Sequence, residues 1–194
     1  MKICMIGTGY VGLVSGTCFS ELGNNVICAD IDKKKIIRLG EGLIPIYEPG
    51  LEELVKRNFK QKRLKFSSDI ATSIRKSDVI FICVGTPTNK TTNKANLKYV
   101  WNVANTIKNN LNKYKVVVTK STVPVTTGDK IEKILNLKKN KNKFDVISNP
   151  EFLREGEAIR DFLYPDRIVI GTNTKKANNI MKNLYLPIIK KNNR

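Results

Sequence analysis

The 194-residue sequence contains no histidine, only four cysteines, one tryptophan, and 17 acidic residues against 35 basic ones. Without histidine, the commonest general base and metal ligand is missing, so proton transfer falls to carboxylates, lysines, hydroxyls or water. Cys4, Cys18, Cys28 and Cys83 are scattered among apolar neighbours with no CxxC pair. That spacing argues against a zinc site or a disulfide framework and for reduced core cysteines, so no metal is expected. No apolar run approaches the ~18 residues of a membrane span, and the start at Met1-Lys2-Ile3 has no signal-peptide pattern. A soluble cytoplasmic protein with no membrane partner is the expectation.

Apolar residues make up 41% of the chain, enough for an ordinary core, and the length fits one domain. The net charge of +18 invites a nucleic-acid reading. Its distribution argues against one. The lysines are spread along the chain and interleaved with asparagine (Asn109-Asn110, Lys138 to Lys143, Lys190 to Asn193), and they lack the aromatic interleaving of a base-stacking platform. A solvated surface with no nucleic-acid partner is the reading adopted.

Apolar runs alternate with helical patterns. Residues 2 to 6 form a strand, 10 to 22 a helix, Val26 to Ala29 a strand and Lys33 to Leu39 a helix. A helix over Leu51 to Asn58, a short strand at Leu64 to Phe66 and a helix over Asp69 to Lys76 precede the strongest strand, Val79 to Val84. After the polar stretch Gly85 to Asn96, a helix capped by Asn96 covers Leu97 to Leu111. Then come a strand at Lys115 to Thr119, a helix at Thr127 to Lys139, a strand end at Val146 to Ser148, an irregular or partly helical connection, a strand at Arg167 to Ile170, and a helix at Ala177 to Lys190 that Pro187 should bend or end. Wholly apolar strands alternating with helices mean an α/β fold: a Rossmann-like, doubly wound, mostly parallel sheet with helices on both faces.

Gly7-Thr8-Gly9-Tyr10-Val11-Gly12 matches GxGxxG between a strand and a helix. The first glycine permits the turn, the second admits a pyrophosphate, and the third lets helix and strand pack closely. The next strand ends at Asp30, where a carboxylate would hold ribose hydroxyls. The competing reading makes Asp30 the N-cap of the following helix. An acidic Asp30 favours NAD over NADP, although Lys33, Lys34 and Lys35 weaken that preference. Three further loops lie at strand carboxyl ends: Val84 to Pro87 with Thr86, Lys120 to Pro124 with Ser121 and Thr122, and Asn149 to Gly156 with Glu151, Arg154 and Glu155. In a doubly wound sheet these loops should share a cleft.

With Pro45 to Gly50 and the segment Asn149 to Gly171, these motifs resemble the nucleotide-sugar 6-dehydrogenases, the UDP-glucose/GDP-mannose dehydrogenase family, over essentially the whole chain. The resemblance implies that residues 1–194 are the NAD-binding Rossmann domain, without the family's central helix and C-terminal substrate domain. It implies NAD-dependent oxidation of UDP-glucose to UDP-glucuronate by two hydride transfers, through a thiohemiacetal and a thioester on a cysteine; GDP-mannose and UDP-N-acetyl sugars are the alternative substrates. Matched by position, Val11, Asp30, Lys35, Thr86, Thr122 and Glu155 line the NAD site, beside the turn residues Gly7, Gly9, Tyr10 and Gly12. Phe152, Leu153, Arg154 and Glu155 face the sugar nucleotide. Thr122 and Glu155 are the catalytic pair that hold or activate water, and Glu151 is a second candidate carboxylate, equally readable as a helix N-terminal charge. The family's catalytic cysteine and substrate-binding lysine and asparagine have no counterpart in this sequence. Activity of the chain alone is therefore doubtful: a separate C-terminal chain becomes a candidate partner, and a non-catalytic NAD-binding module becomes a second reading.

Overall fold

A computed structural model describes residues 1–91 and 93–191. The polar stretch from Gly85 to Asn96 and the basic stretch from Lys190 to Asn193 each run partly outside these described residues. Six strands, β1 (Lys2–Ile6), β2 (Asn25–Ala29), β3 (Leu64–Ser67), β4 (Val79–Ile82), β5 (Lys115–Thr119) and β6 (Phe144–Ser148), form one sheet in the order β3-β2-β1-β4-β5-β6. Every pairing is parallel. The strand order reverses direction between β1 and β4, which makes their carboxyl ends the switch point where ligands bind in doubly wound sheets.

Strand side chains alternate between two cores. Met5, Cys28, Phe81 and Val118 point to the face covered by α1 (Tyr10–Glu21), α3 (Leu51–Lys60), α7 (Ala158–Leu163) and α8 (Lys175–Lys191). Cys4, Ile80, Ile82 and Val117 point to the face covered by α4 (Ile70–Lys76), α5 (Lys98–Asn110) and α6 (Thr127–Leu135). The remaining helix, α2 (Lys33–Gly40), buries only Leu39. The sheet centre is covered twice, which is why residues 3–6 of β1, all of β4 and residues 116–118 of β5 read as unbroken apolar runs.

Several boundaries differ from the expectations. Residues 167–170 are not a strand: the segment meets the sheet at the isolated antiparallel bridge Ser148↔Gly171, just beyond them, and Asn149 Nδ2 donates to the Val169 carbonyl at 2.7 Å. Ile168 and Ile170 still pack on the core, and this supplied the apolar signal. β4 stops at Ile82, because Cys83 and Val84 leave the ladder beside the glycine turn. α6 ends at Leu135, since buried Asn140 donates its amide to the carbonyls of Leu135 and Lys108 and turns the chain into one 3-10 turn, Lys138–Asn140. The N-cap of α5 is Leu97, although Asn96 Oδ1 still accepts the Lys98 N–H at 3.0 Å. α8 runs through Pro187 instead of ending there. Proline forfeits one helix hydrogen bond, and the burial of Leu184, Tyr185 and Ile188 on both sides holds the helix together.

Candidate functional site

The glycine turn is shaped by backbone contact. Gly7 has φ +100°, and a Cβ there would lie 2.8 Å from the Cys83 carbonyl oxygen; a Cβ on Gly12 would lie 1.9 Å from the Gly7 carbonyl oxygen. Gly9 is the opposite case: a Cβ there meets nothing within 4 Å. Open space therefore stands in front of Gly9. Gly9 is also the N-cap of α1, which has no side-chain cap and no acidic residue in its first turn. An uncapped helix start with free space before it suits a pyrophosphate.

Asp30 ends β2 beside this turn. Its Oδ2 accepts from the Thr8 N–H (2.9 Å), the Thr8 hydroxyl (2.7 Å) and Lys35 Nζ (3.0 Å), and its Oδ1 accepts from the Asp32 N–H (3.1 Å). Burial acts to raise this carboxyl's pKa, but the bonds from Thr8, Asp32 and Lys35 prevail and hold it below its ordinary value. Asp30 is not a helix cap. That role belongs to Asp32, whose Oδ1 accepts the Lys35 N–H at 3.0 Å. Buried Thr8, inside the motif, is the residue that sequence reasoning passed over: its two donors aim the carboxylate.

A cavity of about 330 Å³ opens here, lined by Gly7, Gly9, Asp30 and Lys35 together with Ile31, Val84, Gly85 and residues of α5 such as Tyr99 and Thr106. The α5 residues carried no sequence signal, because a helix face that lines a cavity has the same pattern as one that lines a core. Uncapped amides, the space at Gly9 and the Asp30 carboxylate at the cavity wall together have the features a dinucleotide needs.

A second cavity of about 430 Å³ is lined by Lys120, Asn149, Glu151, Phe152, Leu153 and Arg154, with Tyr164 to Ile168 and Tyr185. The strand-end loops thus line two cavities in place of one cleft. Thr86 and Thr122 line neither, but the Thr86 hydroxyl donates to the Thr122 carbonyl at 3.1 Å and so ties their loops together. Glu155 also lies outside both linings and is exposed, with its charge near the Tyr10 phenol. Glu151 begins no helix; its carboxylate accepts the Leu153 N–H at 2.6 Å within the loop. Arg154 pairs with Asp161, and Arg167 lies over the Phe152 ring at 4.7 Å.

At the floor of this cavity Lys120 is buried. Its Nζ lies 3.4 Å from Asn149 Oδ1 and 3.5 Å from the Tyr185 hydroxyl, which itself donates to Asn149 at 2.6 Å. Burial, opposed by Cys83 and Glu151, lowers the Lys120 ammonium to about 8. The four cysteines are free and buried, and burial pushes their thiols up, Cys83 to about 12. Among the described residues, no three His, Cys, Asp or Glu side chains converge as metal ligands, and no helix is long and apolar enough to cross a membrane.

The strand order and the glycine turn define a doubly wound dinucleotide-binding domain. The model of the UDP-glucose/GDP-mannose dehydrogenase family, NAD binding domain, matches residues 1–189. The chain belongs to that family, as its NAD-binding domain. It is 55% identical over 187 residues to UDP-glucose 6-dehydrogenase TuaD of Bacillus subtilis, covering 96% of this chain and 40% of that relative. Among solved structures it is similar to a UDP-glucose dehydrogenase from Pyrobaculum islandicum (TM-score 0.91, 37% identity, 96% of this chain and 44% of that one). It is also similar to a GDP-mannose dehydrogenase ternary complex from Pseudomonas aeruginosa (TM-score 0.89, 34% identity, 96% and 44%). The chain thus spans about two fifths of the length of these dehydrogenase relatives.

Proposed function

We propose that this chain is the NAD-binding part of a UDP-glucose 6-dehydrogenase, with the pyrophosphate on Gly7 to Gly12 and the adenosine ribose on Asp30. The observation that carries this reading is the Asp30 carboxylate, aimed by Thr8 beside the open, uncapped turn at Gly9. NAD supplies the hydride acceptor when bound. The chain's own residues bind and orient: Val11, Tyr10 and Thr86 flank the cofactor, and Lys35 holds Asp30 ionised. A 2′-phosphate would meet the Asp30 charge, which favours NAD over NADP.

On the substrate side, Phe152, Leu153 and Arg154 face the sugar nucleotide, Thr122 and Glu155 hold the water that hydrolysis needs, and Glu151 is the second carboxylate. The nucleophilic sulfur that the resemblance implies comes from outside these 194 residues, because Cys4, Cys18, Cys28 and Cys83 are buried thiols kept protonated. A separate segment therefore partners this domain in turnover. The stronger identity to a UDP-glucose 6-dehydrogenase supports UDP-glucose as substrate; the likeness to a GDP-mannose dehydrogenase keeps GDP-mannose as the second reading.

Calorimetric titration with NAD tests the cofactor part. The wild-type chain binds NAD, and Gly9→Val, whose Cβ meets nothing within 4 Å, folds normally and loses affinity by about tenfold or more. A folded wild type that ignores NAD defeats the reading. Mixing the chain with the separately produced C-terminal portion of a relative, then following NADH formation with UDP-glucose and with GDP-mannose, tests the substrate. Absence of turnover from a folded complex removes the dehydrogenase assignment.

A further inference from the structure

Glu48 is buried at 6% exposure, yet its partners are a phenol and two backbone N–H groups instead of a cation. The Tyr10 hydroxyl donates to Oε2, the Gly156 N–H reaches the same oxygen at 2.9 Å, and the Ile159 N–H reaches Oε1 at 3.2 Å. The Gly156 N–H is shared with the Tyr10 oxygen, also at 2.9 Å. These groups come from separate parts of the chain. Tyr10 opens α1 directly after the glycine turn, Glu48 sits in the loop between α2 and α3, and Gly156 follows Glu155.

A buried carboxylate is costly unless its lone pairs are filled. Here they are filled from two remote elements, so moving either element leaves a buried charge partly unpaired. Gly156 has φ +89°, a conformation that side chains resist and that turns its N–H toward the pair. Burial, and next the bond to Glu48, push the Tyr10 phenol up to about 12. It therefore stays protonated, and a donor, through the neutral range.

We propose that Glu48 is a positioning residue that fixes the Glu155 loop against the dinucleotide turn and transmits occupation of that turn, through Tyr10, to residues 154–159. The transmission rests on the NAD-binding reading above. It supplies what neither cavity has by itself: a defined position for exposed Glu155 relative to the cofactor.

The test uses the 194-residue chain, isotopically labelled, and reads amide hydrogen exchange at Gly156 and Ile159 with and without NAD. In the ligand-free chain, Glu48→Ala speeds exchange at these two amides on the order of tenfold or more and leaves β4 and β5 unchanged. With saturating NAD the wild-type amides slow further. In Glu48→Ala, NAD still binds through the turn and Asp30, but the slowing at 156 and 159 is lost. Glu48→Gln, which keeps an oxygen acceptor, restores most of the response, and Tyr10→Phe, which removes one hydroxyl, loses part of it; these two carry the test if the alanine variant does not fold. Equal NAD-induced slowing in the wild type and every variant overturns the proposal. If the folded wild type does not bind NAD, the cofactor reading fails with its transmission, and the ligand-free comparison still decides whether Glu48 ties the loop: unchanged exchange in Glu48→Ala or, where that variant does not fold, in Tyr10→Phe overturns that too.

Discussion

The glycine turn and the loop from Asn149 to Glu157 flank Tyr10 from two sides, yet they are built differently. In the turn, the side-chain and glycine contacts are mostly short in span, with Thr8 meeting Asp30 across 22 positions and Gly12 pressing on Gly7, while Gly7 also packs on the more distant Cys83 carbonyl. In the loop, the holding contacts span 36 positions from Tyr185 to Asn149, 108 from Gly156 to Glu48 and 146 from Gly156 to Tyr10. The turn is a backbone device that has almost no tolerance for added atoms at Gly7 and Gly12 and open space at Gly9. The loop is irregular and depends on buried polar side chains that arrive from elsewhere, so its order is contingent on the rest of the fold.

The largest effect that sharpens this contrast is expected at Gly12. Its added methyl would meet backbone, which cannot yield, so Gly12→Ala costs more than about 3 kcal/mol by denaturant titration. A variant as stable as wild type would mean that the turn is looser than its geometry. On the loop side, Lys120→Met probes the buried ammonium. The folded value lies near 8 and the ordinary value near 10.5, so between them the unfolded chain binds more protons and this group's contribution to stability rises with pH. The wild type gains on the variant by up to about 3 kcal/mol across that window, read from melts at matched pH. A constant difference would show Lys120 to be solvated.

Asp30→Asn keeps the shape and removes the charge. NAD affinity falls by about tenfold in calorimetry. Because the folded Asp30 pKa is lowered, the stability it contributes is present above about pH 4 and lost as pH falls through the folded value; the variant lacks that acid limb. The smallest effect belongs to Arg154→Ala. Its ion pair with Asp161 is mostly exposed on the arginine side, so the thermal midpoint moves by no more than about 2 °C, and less in high salt. A larger drop would reveal that the pair holds the loop as firmly as backbone holds the turn.

Legibility followed the same division. β5 and the turn could be read to the residue because hydrophobic continuity and glycine spacing are local signals. The expected strand at 167–170 failed because Ile168 and Ile170 alternate as a strand would while their backbone joins no ladder, a difference visible only once Asn149 captures Val169. Glu48 stood within a quoted motif, Pro45 to Gly50, yet nothing in its neighbours announces a buried carboxylate. Its partners lie more than 100 residues further along the chain or begin a helix 38 residues earlier.

By itself, the sequence determined the layered α/β class, the phosphate turn and the acidic end of β2. These depend on side-chain period, on glycine's missing Cβ and on short spacing, all of which act along the chain. Only the tertiary structure decided that Thr8 aims Asp30, that the strand-end loops line two cavities, that Lys120 is buried under one of them, and that Glu48 joins the turn to the Glu155 loop. Burial and hydrogen-bond partnership between distant residues arise from packing, and packing exists only after the chain has folded.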